Sequence, residues 1–157
     1  MVRLVAINAE ISTWDKRFIR LAEHVSEWSK DPSTKVGAVI VDGDKRILST
    51  GYNGFPAKIE DHQEDYQDRD TKLKKVVHAE SNAIIFSQRS LKDCTMYLWP
   101  FMPCSNCAGQ IIQSGISRVV SPINSNPKWQ ESFKITQDMF EEAGIELDLY
   151  GMEMLYG

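Results

Sequence analysis

Residues 94–120 read CTMYLWPFMPCSNCAGQIIQSGISRVV, and this stretch decides the fold. Cys94 to Trp99 is an apolar run of strand length. Cys104 to Ser114 suits a helix, and Gly115 stops it. Ile116 to Val120 is a second short apolar run, rich in β-branched residues. A strand, a helix and a strand in immediate succession form a crossover, which sets the two strands parallel with the helix on one sheet face.

The same rhythm continues outward. Downstream, Glu131 to Ala143 suits a helix ended by Gly144, and Ile145 to Leu149 alternates like an edge strand. Upstream, His78 to Arg89 suits a helix with Ala79, Ala83 and Phe86 near one face. Val36 to Val41 is continuously apolar, as a buried strand is. Asp42-Gly43-Asp44 turns the chain, and Arg46 to Thr50 returns as a second strand. Gly51 to Pro56 is a rigid glycine-proline loop. Residues 57–75 mix both charge signs with little periodicity and read as a solvated excursion with at most a short helix. Near the start, Ser12 with Asp15 resembles a capping box. An apolar stripe follows at Trp14, Phe18, Leu21, Val25 and Trp28, and Asp31-Pro32 ends that helix. Together these elements predict a three-layer α/β/α sandwich on a five-stranded mixed sheet, one domain over residues 1–157, without linker or repeat.

Composition narrows the class. The chain has 157 residues, 42% hydrophobic and 25% charged, with 18 basic and 22 acidic side chains and a formal charge of −4. These are values of a globular domain with a sizeable core. They argue against a disordered tail, a collagen-like rod or a disulfide-stapled miniprotein, and the charge argues against a nucleic-acid partner. No apolar run approaches the roughly 18 residues of a membrane span, and Met1 to Ile7 lacks the pattern of a signal peptide. The three cysteines, Cys94, Cys104 and Cys107, fit a reducing compartment better than a disulfide framework. The expectation is a cytoplasmic protein with no membrane partner.

Chemistry concentrates in two motifs, His78-Ala79-Glu80 and Pro103-Cys104-Ser105-Asn106-Cys107. Cysteines three apart at a helix start can share one metal ion, and the positive helix end favours thiolates. His78 and Glu80 are two apart and converge only if His78 sits at a helix entry. His78, Cys104 and Cys107 make three ligands. A structural zinc site is usually closed by a fourth, whereas a catalytic site keeps that position for water. Glu80 beside an open position is what a hydrolytic proton shuttle needs. His62 or Cys94 could close a structural site instead; His62 reads as a surface residue and Cys94 as core. His24, off the apolar stripe, reads as solvated. Lys30, Ser33, Thr34 and Lys35, just before the buried strand, offer ammonium and hydroxyl groups suited to a phosphate; the alternative is a solvated helix exit.

The pairing of His-x-Glu with Pro-Cys-x-x-Cys is the zinc nucleobase and nucleotide deaminase signature. More of the chain resembles the deoxycytidylate (dCMP) deaminase family: residues 29–38, Gly51-Tyr52-Asn53-Gly54-Phe55-Pro56, His78 to Ile84, Pro103 to Ala108 and Ile111 to Val120. The resemblance implies a cytidine deaminase-like fold and hydrolytic deamination of dCMP to dUMP and ammonia, feeding thymidylate synthesis. It implies Zn²⁺ on His78, Cys104 and Cys107, with Glu80 moving protons between water and the cytosine ring. It further implies substrate contacts from Ala79 and from Asn53, whose amide would meet a sugar hydroxyl; a turn asparagine is the plainer alternative. A homo-oligomer, dimer or hexamer, with Phe86 and Arg89 at subunit contacts, is also implied.

The chain departs from that pattern in places. Tyr97 to Pro103 is one residue longer and more aromatic than the family segment. Ser121-Pro122-Ile123 stands where a base-stacking tyrosine usually follows the strand, leaving Trp99 or Trp129 as candidates. Substrate preference is therefore open, with dCTP or 5-substituted dCMP as alternatives to dCMP. The Gly-Tyr-Asn-Gly loop implies an effector nucleotide triphosphate with Mg²⁺, but Ala57-Lys58-Ile59 and the short excursion predict weak or absent dCTP activation. Two rival functions are a tRNA adenosine or free-base deaminase and a non-catalytic, zinc-stabilised binding module.

Overall fold

In the computed structural model, which describes residues 10–156, helix α1 (Thr13–Ser26) begins at Ser12, whose Oγ accepts from the Asp15 backbone N–H at 3.0 Å. The buried face is Asp15, Phe18, Ile19, Ala22 and Val25. Trp14 and Trp28, expected on that stripe, are exposed. The helix ends at Ser26, before Trp28 and well before Pro32, and Trp14 lies in its first turn. The Met1 to Ile7 segment lies outside the described residues.

Strands β1 (Gly37–Val41) and β2 (Ile47–Tyr52) form an antiparallel hairpin. Its turn is held by Asp42, whose carboxylate accepts from the Asp44 and Arg46 backbone N–H groups. The charged excursion contains two short helices, α2 (Gln63–Gln67) and α3 (Arg69–Lys75), where at most one was expected. Tyr66 of α2 stacks on Phe55, with ring centroids 4.0 Å apart. Helix α3 buries no residue; it is tied down by the ion pairs Lys72–Asp31 and Lys75–Asp65 and by the Gly54–Val77 bridge that follows it. Polar anchors of this kind leave no periodic apolar stripe to read.

Then come α4 (Ala79–Ser87), β3 (Thr95–Trp99), α5 (Ser105–Ser114), β4 (Arg118–Pro122), α6 (Pro127–Ala143), β5 (Glu146–Tyr150) and α7 (Glu153–Tyr156). Gly115 and Gly144 adopt the left-handed conformation at the ends of α5 and α6. The sheet order is β2-β1-β3-β4-β5, with β3, β4 and β5 parallel and β1 antiparallel to both neighbours. This is the expected mixed sheet.

Strand alternation splits the core into two clusters, one on each sheet face. On one face, α1 and Leu155 of α7 pack with Val39, Val41, Tyr97 and Val120. The C-terminal segment thus docks on its own chain. On the other, α4, α5 and α6 cover Ala38, Ile40, Met96, Leu98, Val119 and Leu147. Phe86, expected near the buried face of α4, is exposed instead, beside exposed Ile85.

Backbone proximity seats two helices. A Cβ on Gly37 would stand 2.0 Å from the Ala22 carbonyl oxygen of α1, and one on Gly51 would stand 2.5 Å from the Ala83 nitrogen of α4. Ser49 adds a hydrogen bond to the Ala83 carbonyl oxygen at 2.7 Å. The start of α4 is therefore placed by the sheet itself.

Candidate active site

The start of α4, seated on β2, and the start of α5, which follows β3, bring their side chains together. His78 is the N-cap of α4, in extended backbone, and Glu80 lies in the first turn. Cys104 is the N-cap of α5 and Cys107 lies one turn in. Pro103 therefore precedes the cap, and its carbonyl oxygen accepts from the buried Thr136 hydroxyl of α6 at 2.9 Å. The two sulfurs converge because one sits on the cap and one inside the helix, rather than both on a helical face.

The His78 Nδ1 lies 3.3 Å from the Cys107 Sγ and 3.6 Å from the Cys104 Sγ. Ligand bonds of about 2.3 Å to sulfur and about 2.0–2.1 Å to nitrogen around one tetrahedral ion place such atoms about 3.6 Å apart. All three donor atoms fall within 4.8 Å of one another. This nitrogen-and-two-sulfur set fits zinc, and the hard, oxygen-seeking Mg²⁺ far less. It is the one group of three or more ligating side chains with that proximity among the described residues. His62 pairs with Glu60 at the surface, and Cys94 is buried in the core.

Electrostatics prepare these groups for a metal and for proton transfer. The Cys107 thiol donates to Cys104 and so holds Cys104 down at about 4, a shift that burial opposes and that His78 assists. Cys107 is correspondingly raised, first by that hydrogen bond and then by burial. His78 is raised by its hydrogen bond to Cys104, against the effect of burial. Burial pushes the Glu80 carboxyl up to about 7, so it can both accept and release a proton near neutrality.

Beside the ligands lies a cavity of about 250 Å³. His78, Ala79, Glu80 and Cys104 line it together with Asp31, Ser33, Thr34 and Asn53. Phe101, Trp129 and Phe133 supply an aromatic wall, with Phe101 5.5 Å from Trp129 and 5.7 Å from Phe133 between ring centroids. A larger, open depression of about 620 Å³ runs along the outer side of α1, on the opposite sheet face, and holds none of these ligands.

Residues 12–122 match the family model described as the cytidine and deoxycytidylate deaminase zinc-binding region. The chain belongs to this family. It is 45% identical over 148 residues to an uncharacterized deaminase in the luxG 3′ region of Aliivibrio fischeri, covering 92% of this chain and 99% of that one. It is 36% identical over 140 residues to the deoxycytidylate deaminase of Homo sapiens, covering 84% of this chain and 76% of the relative. Its fold is similar to that of the dCMP deaminase from cyanophage S-TIM5 in complex with dCMP and dUMP, with a TM-score of 0.72 and 24% identity over 90% of this chain and 99% of that one.

Within this deaminase-family cavity, the sequence candidates divide. Ser33, Thr34, Asn53 and Ala79 line it; Lys30 and Lys35 do not. Lys30 points to Asp61 at 3.0 Å, and Lys35 is exposed. Asn53 does not present a free amide: Oδ1 accepts from the Val36 N–H at 2.9 Å, and Nδ2 donates to the Thr34 carbonyl at 2.9 Å. It fastens the loop that precedes β1. Trp129 lines the cavity, whereas Trp99 packs with the α1 cluster on the other sheet face.

Sequence reading missed Arg69, Lys72, Leu73 and Val76 of the excursion and Lys128 of α6 as cavity residues. Their spacing of three, four and seven along α3 was the available signal, masked by the surrounding charges. Asp31 was missed as well: it is buried, and it accepts from the Ser33 and Thr34 N–H groups and from Lys72.

Proposed function

We propose that this protein hydrolyses dCMP to dUMP and ammonia, with zinc on His78, Cys104 and Cys107. The observation that carries this is a buried carboxylate, Glu80, in the same cavity as a three-donor cluster of zinc geometry. A structural zinc site has no use for such a base. The names of the deoxycytidylate deaminase relatives support the choice of substrate.

Bound there, zinc supplies Lewis acidity that eases deprotonation of a water near neutral pH. Glu80 accepts a proton from the attacking water and delivers it to N3 of the pyrimidine as C4 is attacked. A further transfer through Glu80 to the exocyclic amine lets it leave as ammonia. Ala79 walls the cavity at the entry of α4 with only a methyl group. The ring faces Phe101 and Trp129, and the sugar extends along the cavity past Ser33 and Thr34.

No helix among the described residues is long and apolar enough to cross a membrane. The free thiols Cys94, Cys104 and Cys107 support a reducing, cytoplasmic setting. Exposed Ile85 and Phe86 on α4 support a homo-oligomer, which light scattering on the purified protein tests. A magnesium-bound nucleotide effector finds no support in the donor set or in the relatives' names.

The deciding experiment measures zinc stoichiometry and ammonia release with dCMP, dCTP, 5-methyl-dCMP, deoxycytidine and a tRNA anticodon stem-loop. Turnover of dCMP above the others is expected. Bound zinc with no turnover of any substrate would establish the non-catalytic module instead.

A further inference from the structure

Three cations line the cavity, and their engagements differ. Lys72 is 2.8 Å from Asp31, which is buried, so this pair is internally neutral. Arg69 and Lys128 form no ion pair with a carboxylate among the described residues. Arg69 lies on the cavity face of α3, in the stripe Arg69, Lys72, Leu73 and Val76. Lys128 comes from the start of α6, with its ammonium 4.8 Å from the centre of the Trp129 ring. The remaining carboxylate in the lining, Glu80, stands beside the metal ligands and serves proton transfer.

The cavity therefore carries two positive charges that no carboxylate of its lining pairs with. A phosphate monoester carries about −1.5 to −2 at neutral pH, which matches that excess. Arg69 offers a planar fork for two phosphate oxygens, and Lys128 offers a mobile point charge. We propose that Arg69 and Lys128 form a two-sided clamp for the substrate's 5′-phosphate, and that this clamp sets the preference for nucleotide over nucleoside. The clamp rests on the nucleotide-deaminase reading above. It moves phosphate recognition from Lys30 and Lys35, where the sequence suggested it, to α3 and α6.

The test compares kcat/KM for dCMP and for deoxycytidine in Arg69→Ala, Lys128→Ala and Lys134→Ala. Lys134 is an exposed α6 lysine paired with Asp138, outside the cavity, and controls for lost charge. Each charge-assisted contact is expected to lower the dCMP-to-deoxycytidine ratio by about tenfold or more, while Lys134→Ala keeps the wild-type ratio. Arg69→Lys should restore part of the loss, and inorganic phosphate should inhibit wild type more strongly than Arg69→Ala. Thermal melts confirm that each variant is folded. A wild-type ratio kept in either clamp variant overturns the clamp. A wild type that turns over neither compound, or favours deoxycytidine, overturns the functional reading itself.

Discussion

The backbone of Gly51 on β2 lies so close beneath Ala79 of α4 that a Cβ added there would stand 2.4 Å from the Ala79 carbonyl oxygen. Ala79 sits between His78 and Glu80, so this contact transmits the position of the sheet directly to the proposed metal ligand and to the proposed base. The metal cluster inherits its accuracy from a strand that contributes no ligand.

Gly51→Ala should therefore damage the site as well as the fold. Overpacking against backbone costs about 1–3 kcal/mol, and the strain is relieved most readily by lifting the start of α4. Urea denaturation should show the loss, and zinc content should fall with it. Wild-type stability together with full zinc occupancy would show that α4 is not seated through this contact.

Glu80→Gln should separate binding from chemistry. The variant keeps the three donor side chains and hence its zinc, but it cannot shuttle a proton, and kcat for dCMP should fall by about 10²- to 10⁴-fold. Metal analysis on the same preparation used for the kinetics checks this. Near-wild-type turnover in the zinc-loaded variant removes Glu80 from the mechanism.

Lys72→Met should loosen the cavity wall. The substitution leaves Asp31 buried, with the Ser33 and Thr34 N–H groups as its principal donors. The loss of a charge-assisted hydrogen bond to a buried carboxylate costs about 1–3 kcal/mol. Because Lys72 also ties α3 to the loop before β1, KM for dCMP should rise more than kcat falls. An unchanged melting curve with unchanged KM contradicts the tether.

Asp15 should give the protein an acid-sensitive component of stability. Burial pushes its carboxyl upward, but the donors Arg118, Tyr97 and Tyr150 outweigh that and hold it below 3.8. Arg118 reaches Asp15 at 2.7 Å and Asp148 at 2.7 Å, joining α1 to β4 and β5. A carboxyl lowered in the folded chain stabilises it at pH values above the unfolded value. That contribution disappears as pH falls through the folded value. Asp15→Asn should thus be clearly less stable than wild type near neutrality, and the gap should narrow in acid. Parallel stability curves from about pH 6 to about pH 3 would remove Asp15 from the acid response.

The strand–helix–strand rhythm, the mixed sheet and the His78, Glu80, Cys104 and Cys107 motifs were legible because each is written in local periodicity and short spacing. The errors share one cause. Trp14 and Trp28 fit an apolar spacing, but the face of α1 that meets β1 is set by the close approach at Gly37. Asn53 and Lys30 have groups suited to a nucleotide, yet Val36, Thr34 and Asp61 already engage them. A side chain's partners cannot be read from its chemistry alone.

By itself, then, the sequence determined the layers, the order of elements and the candidate metal donors, because hydrophobic periodicity and motif spacing act over a few residues. Only the tertiary structure decided which cations face the cavity, which aromatics wall it and where α4 rests. Those outcomes depend on groups more than fifty positions apart, such as Arg69 and Lys128, which only the folded sheet brings to a common cavity.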